Sequence, residues 1–498
     1  MQLYQIEKTC EAFGAACSHF ERLIEELDSP TSSKMQHGEV EELINRRGKE
    51  ILCLLLQGHL DLRALREEPG RMVKGADGKA RPHCRKNCER PLMSVFGEVE
   101  VHRMGYSARK VESLFPLDGE LNMAKDKYSD GLRRRVAQEV AVRSFDEALT
   151  TIQETTGGRI PKRQVEELAV KVSRDFDAFY GGEEDGGADP SADILVVTTD
   201  SKGIVMLEED LRAATRKAAR EAARGKSARL KPGEKLNRKR MATVAAVYDI
   251  EARPRTPEQV MGLCRNEQEE EKRARATGKR VWASIEHEQP EVVQAMLDEA
   301  LKRDPDQRRR WVVLVDGGEQ QLMLILSFLR SLKLEATLVL DFIHVLEYVW
   351  KAAHALFGVG SREAEDWVGE QALKILKGEA EHVAEAMRKS DRLQKLTQEQ
   401  GKPVLKCADY LSGYPGMLDY DQFLAEGIPI ATGVIEGACR HLIKDRMDFT
   451  GARWRLKRAE AVLRLRSLEA SGDFDAYWSF HREREYQRNH ASRYAAAA

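Results

Sequence analysis

Ile194-Leu-Val-Val-Thr-Thr-Asp200, Trp311-Val-Val-Leu-Val-Asp316 and Ala336-Thr-Leu-Val-Leu-Asp341 are the three stretches that decide the fold class. Each is a short continuous apolar run rich in β-branched residues, the pattern of a strand buried on both faces. Helix-period segments at Pro290–Arg303 and Glu319–Leu332 separate them, so the expectation is an α/β core with a mixed sheet flanked by helices. Gly203-Ile-Val-Met206 reads as a hairpin partner of the first strand and Met241–Tyr248 as a third strand. The charged stretch 251–290 reads as an irregular connection.

Each of the three runs ends in an aspartate. In open α/β sheets, ligand sites gather beyond the carboxyl ends of strands, where such acids converge. A single Asp at a strand end is ordinarily a helix N-cap, and Asp316-Gly-Gly-Glu and Asp341-Phe-Ile-His both fit that role. A fourth acid weighs against caps alone. Glu436 is the only charge in Ile428-Pro-Ile-Ala-Thr-Gly-Val-Ile-Glu-Gly-Ala-Cys439, and a partly buried carboxylate costs roughly several kcal/mol unless a cation or hydrogen bonds satisfy it. Strand-end aspartates with a helical glutamate form the hard oxygen set that Mg²⁺ or Mn²⁺ prefers.

TTDSKGIVM, WVVLVDGGEQQL, LVLDFIHVLEYVWKAA and TGVIEGACRHLIKDRMDFTGARW, with FGEVEVHRMGY, SFDEALTTIQETTG and KRQVEELA upstream, resemble the DDE transposases of bacterial insertion sequences. The nearest resemblance is to the ISKra family, itself distantly similar to mutator-type transposases. It covers residues 95–495; the first 70 residues match nothing in that family. The resemblance implies an RNase H-like catalytic core in which Asp200 is the first acid, Asp316 the second and Glu436 the third, together holding two Mg²⁺ or Mn²⁺ ions. The acids stand 116 and 120 residues apart, and the long second gap implies a large all-α insertion. Asp341-Phe-Ile-His344 matches the family's D-x-x-H signature, with Asp341 and His344 expected behind the metal-holding acids. The implied activity is transposition: binding of terminal inverted repeats, metal-dependent cleavage and strand transfer to target DNA. A nuclease of the same fold without strand transfer, or a domesticated DNA-binding protein, are the alternatives. Double-stranded DNA is the expected partner, with a homo-oligomer, a dimer or larger, assembled on it.

Composition sets the remaining bounds. The 498 residues carry 80 Lys and Arg against 82 Asp and Glu, so only local charge bears on DNA. Residues 211–240 hold twelve Lys and Arg against two Glu, the kind of excess that phosphate neutralisation needs. Arg238, Lys239 and Arg240 close that segment. A second cationic cluster includes Arg440, Lys444 and Arg453, with Trp454 either stacking on a base or packing in the core. Ser144-Phe-Asp-Glu through Val172 reads as helix, Gly-Gly turn, helix, with Lys162, Arg163 and Gln164 at the start of a recognition helix.

The domain expectation is a helical region at 1–70, a hairpin with helix-turn-helix at 71–180 and a linker at 181–190. The core follows at 191–344, the helical insertion at 345–428 and the last part of the core at 429–498. Cys84 and Cys88, in His83-Cys-Arg-Lys-Asn-Cys88, read as half a zinc site without a second pair or as a loop ahead of a strand. No apolar run suits a membrane span, and the N-terminus lacks the pattern of a signal peptide. A cytoplasmic, nucleoid-associated bacterial protein is expected.

Overall fold

The computed structural model describes residues 2–70, 72–182, 193–223, 238–263, 275–448 and 451–494. The chain divides into two compact units, Met1–Gly182 with Gly472–Ala498, and Glu183–Ser471. The expected linker falls at this division, and its residues 183–190 lie outside the described residues. Among the described residues no helix is long and apolar enough to cross a membrane.

In the first unit, α1 (Gln2–Leu27) and α2 (His37–Leu65) form an antiparallel hairpin. Its helices are tied by Arg47–Glu26 at 3.1 Å. Leu60 of α2, with Cys53 and Leu56, shares a core with Leu92, Val99, Val101 and Met123. The first 70 residues are therefore not a separate region; they pack on the hairpin of strands Pro91–Met93 and Glu98–Glu100. His83–Cys88 corrects the loop reading, because it pairs antiparallel with Arg103–Ala108. Three helices follow: α3 (Asp130–Val142), α4 (Phe145–Thr155) and α5 (Lys162–Val172). Ser144 caps α4, accepting from the Glu147 amide at 3.1 Å, and Pro161 is the residue before the first turn of α5.

The polar-looking C-terminus returns to this unit rather than to the α/β core, which corrects the boundary at 429–498. Its helix Phe474–Tyr486 buries Phe474, Tyr477, Trp478 and His481. The Tyr477 hydroxyl donates to the Val172 carbonyl at 2.6 Å, and Tyr494 donates to the Phe115 carbonyl at 2.7 Å.

The second unit is a mixed five-stranded sheet of β1 (Ile194–Val205), β2 (Lys239–Ile250), β3 (Thr277–Ser284), β4 (Arg310–Val315) and β5 (Thr337–Leu340). The order across the sheet is β3-β2-β1-β4-β5. β2 runs antiparallel to β1 and β3, while β4 is parallel to both β1 and β5. Two expectations are overturned here. Gly203–Met206 is no hairpin partner, because β1 continues through Asp200 and pairs with β2 out to Val205↔Lys239. The stretch 251–290 contains β3, whose Val281–Ser284 side is buried. The free edge of β3 is covered by α14, given below, through Ser471 to the Val281 amide at 3.0 Å and Glu460 to the Ile285 amide at 2.8 Å. Such cover blocks edge-to-edge pairing.

Helices α6 (Gln289–Arg303) and α7 (Glu319–Leu332) complete the core crossings. α8 (Phe342–Phe357), α9 (Arg362–Leu376), α10 (Ala380–Arg388), α11 (Gln398–Ser412) and α12 (Tyr420–Ala425) supply the helical stretch expected at 345–428. The chain then re-enters through α13 (Gly433–Ala438), a π-helical turn at Cys439–Lys444 and α14 (Leu456–Ser471).

Candidate active site

Strand register places the first two acids. Leu314 of β4 pairs with Thr198 of β1, so Asp316 and Asp200, each two residues further on, lie just beyond the same end of this parallel pairing. Both are partly exposed. Val315 pairs with Leu340 on the other side, which sets Asp341 level with Asp316. Gly317, at φ +81, makes the turn after Asp316; a Cβ there would meet Leu340 and the Tyr410 hydroxyl at 3.0 Å. The Asp316 carbonyl accepts from Tyr410 at 2.7 Å, and the Gly317 carbonyl accepts from the Tyr414 hydroxyl.

Two hydrogen bonds bring the helix of the third acid to these strand ends. The Cys439 thiol donates to Asp200 Oδ2 at 3.1 Å. The Thr432 hydroxyl, at the start of α13, donates to Asp341 Oδ2. Glu436 lies between these tethers and is exposed rather than partly buried, which revises the reason it stands alone in its sequence. Its carboxyl is pushed above the usual range, first by what burial it has, then by the charges of Asp341, Glu347 and Asp200, with His344 acting the other way. Burial, and then Asp200, push the Cys439 thiol well up, so it stays protonated as a donor.

Asp341 is 4% exposed. Both its oxygens are taken, Oδ1 by the Ile343 amide at 2.9 Å and Oδ2 by Thr432. It caps α8 and ties α13 to the sheet. His344 rests edge-on against Tyr348 and Tyr410. Tyr348 and Tyr410 are themselves stacked at 4.1 Å.

Among the described residues these acids form no trio whose oxygens all lie within 4.8 Å of one another. The one trio within that distance is Asp175, His481 and Glu485 in the first unit. It reads as an ion-pair network: Arg488 bonds Asp175 and Glu485, His481 bonds Asp175 at 2.7 Å, and Arg174 reaches Glu485. Cations already occupy the lone pairs a metal would need.

The expected DNA contacts divide. Arg238 and Lys239 are exposed, Lys239 standing 3.9 Å from Asp448. Arg240 is corrected: it is half-buried and donates to the Ile285 carbonyl at 2.9 Å, so its guanidinium braces the fold. Residues 224–237 of the basic segment lie outside the described residues. Of its described cations, Arg212 pairs with Glu288, Arg220 with Glu208, and Arg216 donates to backbone carbonyls. Arg440, Lys444 and Arg453 are exposed around the returning helix, Arg440 lying 3.7 Å from Asp445. Trp454 is corrected as well. It is 6% exposed, donates from Nε1 to the Met447 carbonyl at 3.1 Å, and has Arg446 over its ring, so no base stacks there.

In the first unit, Lys162 pairs with Asp146 at 2.6 Å and Arg163 with Glu167 at 2.9 Å, both exposed at the start of α5. Gln164 also donates to Glu167. Exposed pairs of this kind contribute little and open readily.

Sequence reasoning missed Cys439, Thr432 and Lys202. Lys202 is exposed, follows Asp200 by two residues, and acts electrostatically on Cys439. Its period-2 spacing from Asp200 was the available signal. No protein-family model matches the chain, and the search of curated proteins found no match.

Proposed function

We propose that this protein is a DDE transposase of the insertion-sequence type, with an RNase H-like core that cuts and joins DNA. The observation that carries the reading is the register of Asp200 and Asp316 on adjacent parallel strands, with the Glu436 helix tied to the same strand ends by Cys439 and Thr432. The sheet supports it, having order β3-β2-β1-β4-β5 with only β2 reversed, as does the helical stretch between Asp341 and Glu436.

Asp200 and Asp316, both partly exposed, and the exposed Glu436 offer the hard carboxylate oxygens that a pair of Mg²⁺ or Mn²⁺ ions takes. When bound, such ions activate an attacking oxygen and stabilise the leaving one. The chain's own part is positioning, which is most of what phosphoryl transfer asks of a protein. Cys439 fixes the rotamer of Asp200, and Asp341 fixes the start of the Glu436 helix through Thr432. Lys202, Arg440, Lys444 and Arg453 supply positive charge where the DNA backbone would run. Arg238 and Lys239 extend that path, and α5 offers a separate surface for repeat recognition.

The test is strand transfer. A duplex carrying the DNA that borders the coding sequence, with a free 3′-OH end, should join to a plasmid in Mg²⁺. Nicking without any joined product would overturn the transposase reading in favour of a nuclease.

A further inference from the structure

Cys439 holds Asp200 from a neighbouring helix, whereas Asp316 is held by its own backbone. The Gly318 amide donates to Asp316 Oδ1 at 3.0 Å, an Asx turn that spans two residues. The rotamer of Asp316 therefore depends on where that N–H points. The N–H belongs to the peptide joining Gly317 and Gly318. That peptide is planar and trans, so its N–H points opposite to the Gly317 carbonyl. Glycine stands on both sides of it, and glycine changes φ and ψ at little steric cost. Nothing in the Gly-Gly unit itself keeps the N–H on the carboxylate.

The helical stretch between Asp341 and Glu436 supplies the hold. The Tyr414 hydroxyl donates to the Gly317 carbonyl, at the opposite end of the same peptide from the Gly318 N–H. The carbonyl before it, that of Asp316, accepts from the Tyr410 hydroxyl at 2.7 Å. Two successive peptides are each fixed by a tyrosine. Tyr410 is 8% exposed. It is stacked on Tyr348 of α8 at 4.1 Å and sits edge-on to Tyr414 at 5.3 Å, so packing fixes its ring.

We propose that Tyr414 and Tyr410 are positioning residues for the second acid. By holding the two carbonyls they orient the Gly318 N–H, and through it the Asp316 carboxylate that takes the metal ion. The helical stretch is then a working part of the metal site. This proposal rests on the reading of Asp316 as a metal ligand.

Mn²⁺ titrated into the full chain, followed by loss of the free-ion electron paramagnetic resonance signal, measures the effect without turnover. Tyr414→Phe removes one hydroxyl at a partly exposed position. It should weaken Mn²⁺ binding about tenfold or more, the scale of losing a group behind a ligand. Tyr410→Phe keeps the ring stack and should act in the same direction. Tyr420→Phe is the matched control, because the fully buried Tyr420 hydroxyl donates to the Leu340 carbonyl at 2.7 Å. Its loss should lower Tm and leave Mn²⁺ affinity unchanged. In the metal-free protein, amide exchange at Gly318 should speed up in Tyr414→Phe and not in Tyr420→Phe. A Tyr414→Phe protein with wild-type Mn²⁺ affinity, where Asp316→Asn loses it, would overturn the proposal and leave the metal reading standing. An equal loss in Tyr420→Phe would overturn it too, by making the tyrosines general supports of the fold. Mn²⁺ binding absent from the wild type, or indifferent to Asp316→Asn, overturns the metal reading, whereas unchanged exchange at Gly318 overturns the positioning by itself.

Discussion

Asp341 separates a ligand from a brace, and two substitutions at that one position tell them apart. Its Oδ1 caps α8 by accepting from the Ile343 amide, and its Oδ2 accepts from Thr432. Asn keeps a cap oxygen and offers an amide that Thr432 accepts, so Asp341→Asn should cost less than about 1 kcal/mol. Ala keeps neither. Losing the cap costs about 0.5–2 kcal/mol, and leaving the buried Thr432 hydroxyl unpaired costs about 1–3 kcal/mol. Asp341→Ala should therefore lose about 2–4 kcal/mol, which is roughly 4–12 °C in Tm for a unit of this size. Calorimetry gives the stabilities and Mg²⁺-dependent nicking gives the activity. Thr432→Val supplies the second arm of a double-mutant cycle, whose interaction energy should exceed about 0.5 kcal/mol. The expected pattern is an Asn variant that nicks within about tenfold of wild type, and an Ala variant that fails through lost fold. An Asn variant as inactive as Asp200→Asn, at undiminished stability, would refute the brace and make Asp341 a metal ligand.

Cys439→Ala should raise the Mg²⁺ needed for half-maximal nicking by roughly tenfold, the usual scale for losing a residue behind a ligand, whereas Cys439→Ser keeps a donor and should stay close to wild type. Arg238→Gln with Lys239→Gln should flatten the slope of log affinity against log salt by up to about 1.8. Arg240→Gln should leave that slope alone and lower Tm, as salt titrations by fluorescence anisotropy and a melting curve will show. Trp454→Ala should lose about 3–5 kcal/mol in urea unfolding, with the DNA affinity of the folded fraction unchanged.

Strands and their acids were legible because burial on both faces leaves an uninterrupted apolar run. That signal fixes β1, β4 and β5, and with them the register of Asp200 and Asp316. It fails where burial is shared with polar groups. β3 itself contains Lys279 and Arg280, and Arg280 is spent on Glu299, so its sequence looks like a charged connection. Ser201-Lys-Gly203 resembles a turn, yet pairing with β2 carries the strand straight through it. Side-chain commitments are the other blind spot. Arg240 and Trp454 have the composition of a DNA contact, but a carbonyl claims each of them. The C-terminal helix hides Phe474, Tyr477 and Trp478 among charges, and only tertiary packing reveals its buried side.

The central claim is that Asp200, Asp316 and Glu436 act as one metal-holding set. The measurement is nicking of a duplex carrying the DNA that borders the coding sequence, in Mg²⁺, by Asp200→Asn, Asp316→Asn and Glu436→Gln, each with its DNA affinity measured alongside. The account predicts that all three lose nicking while binding DNA as the wild type does. A Glu436→Gln protein that still nicks at the wild-type rate would contradict it.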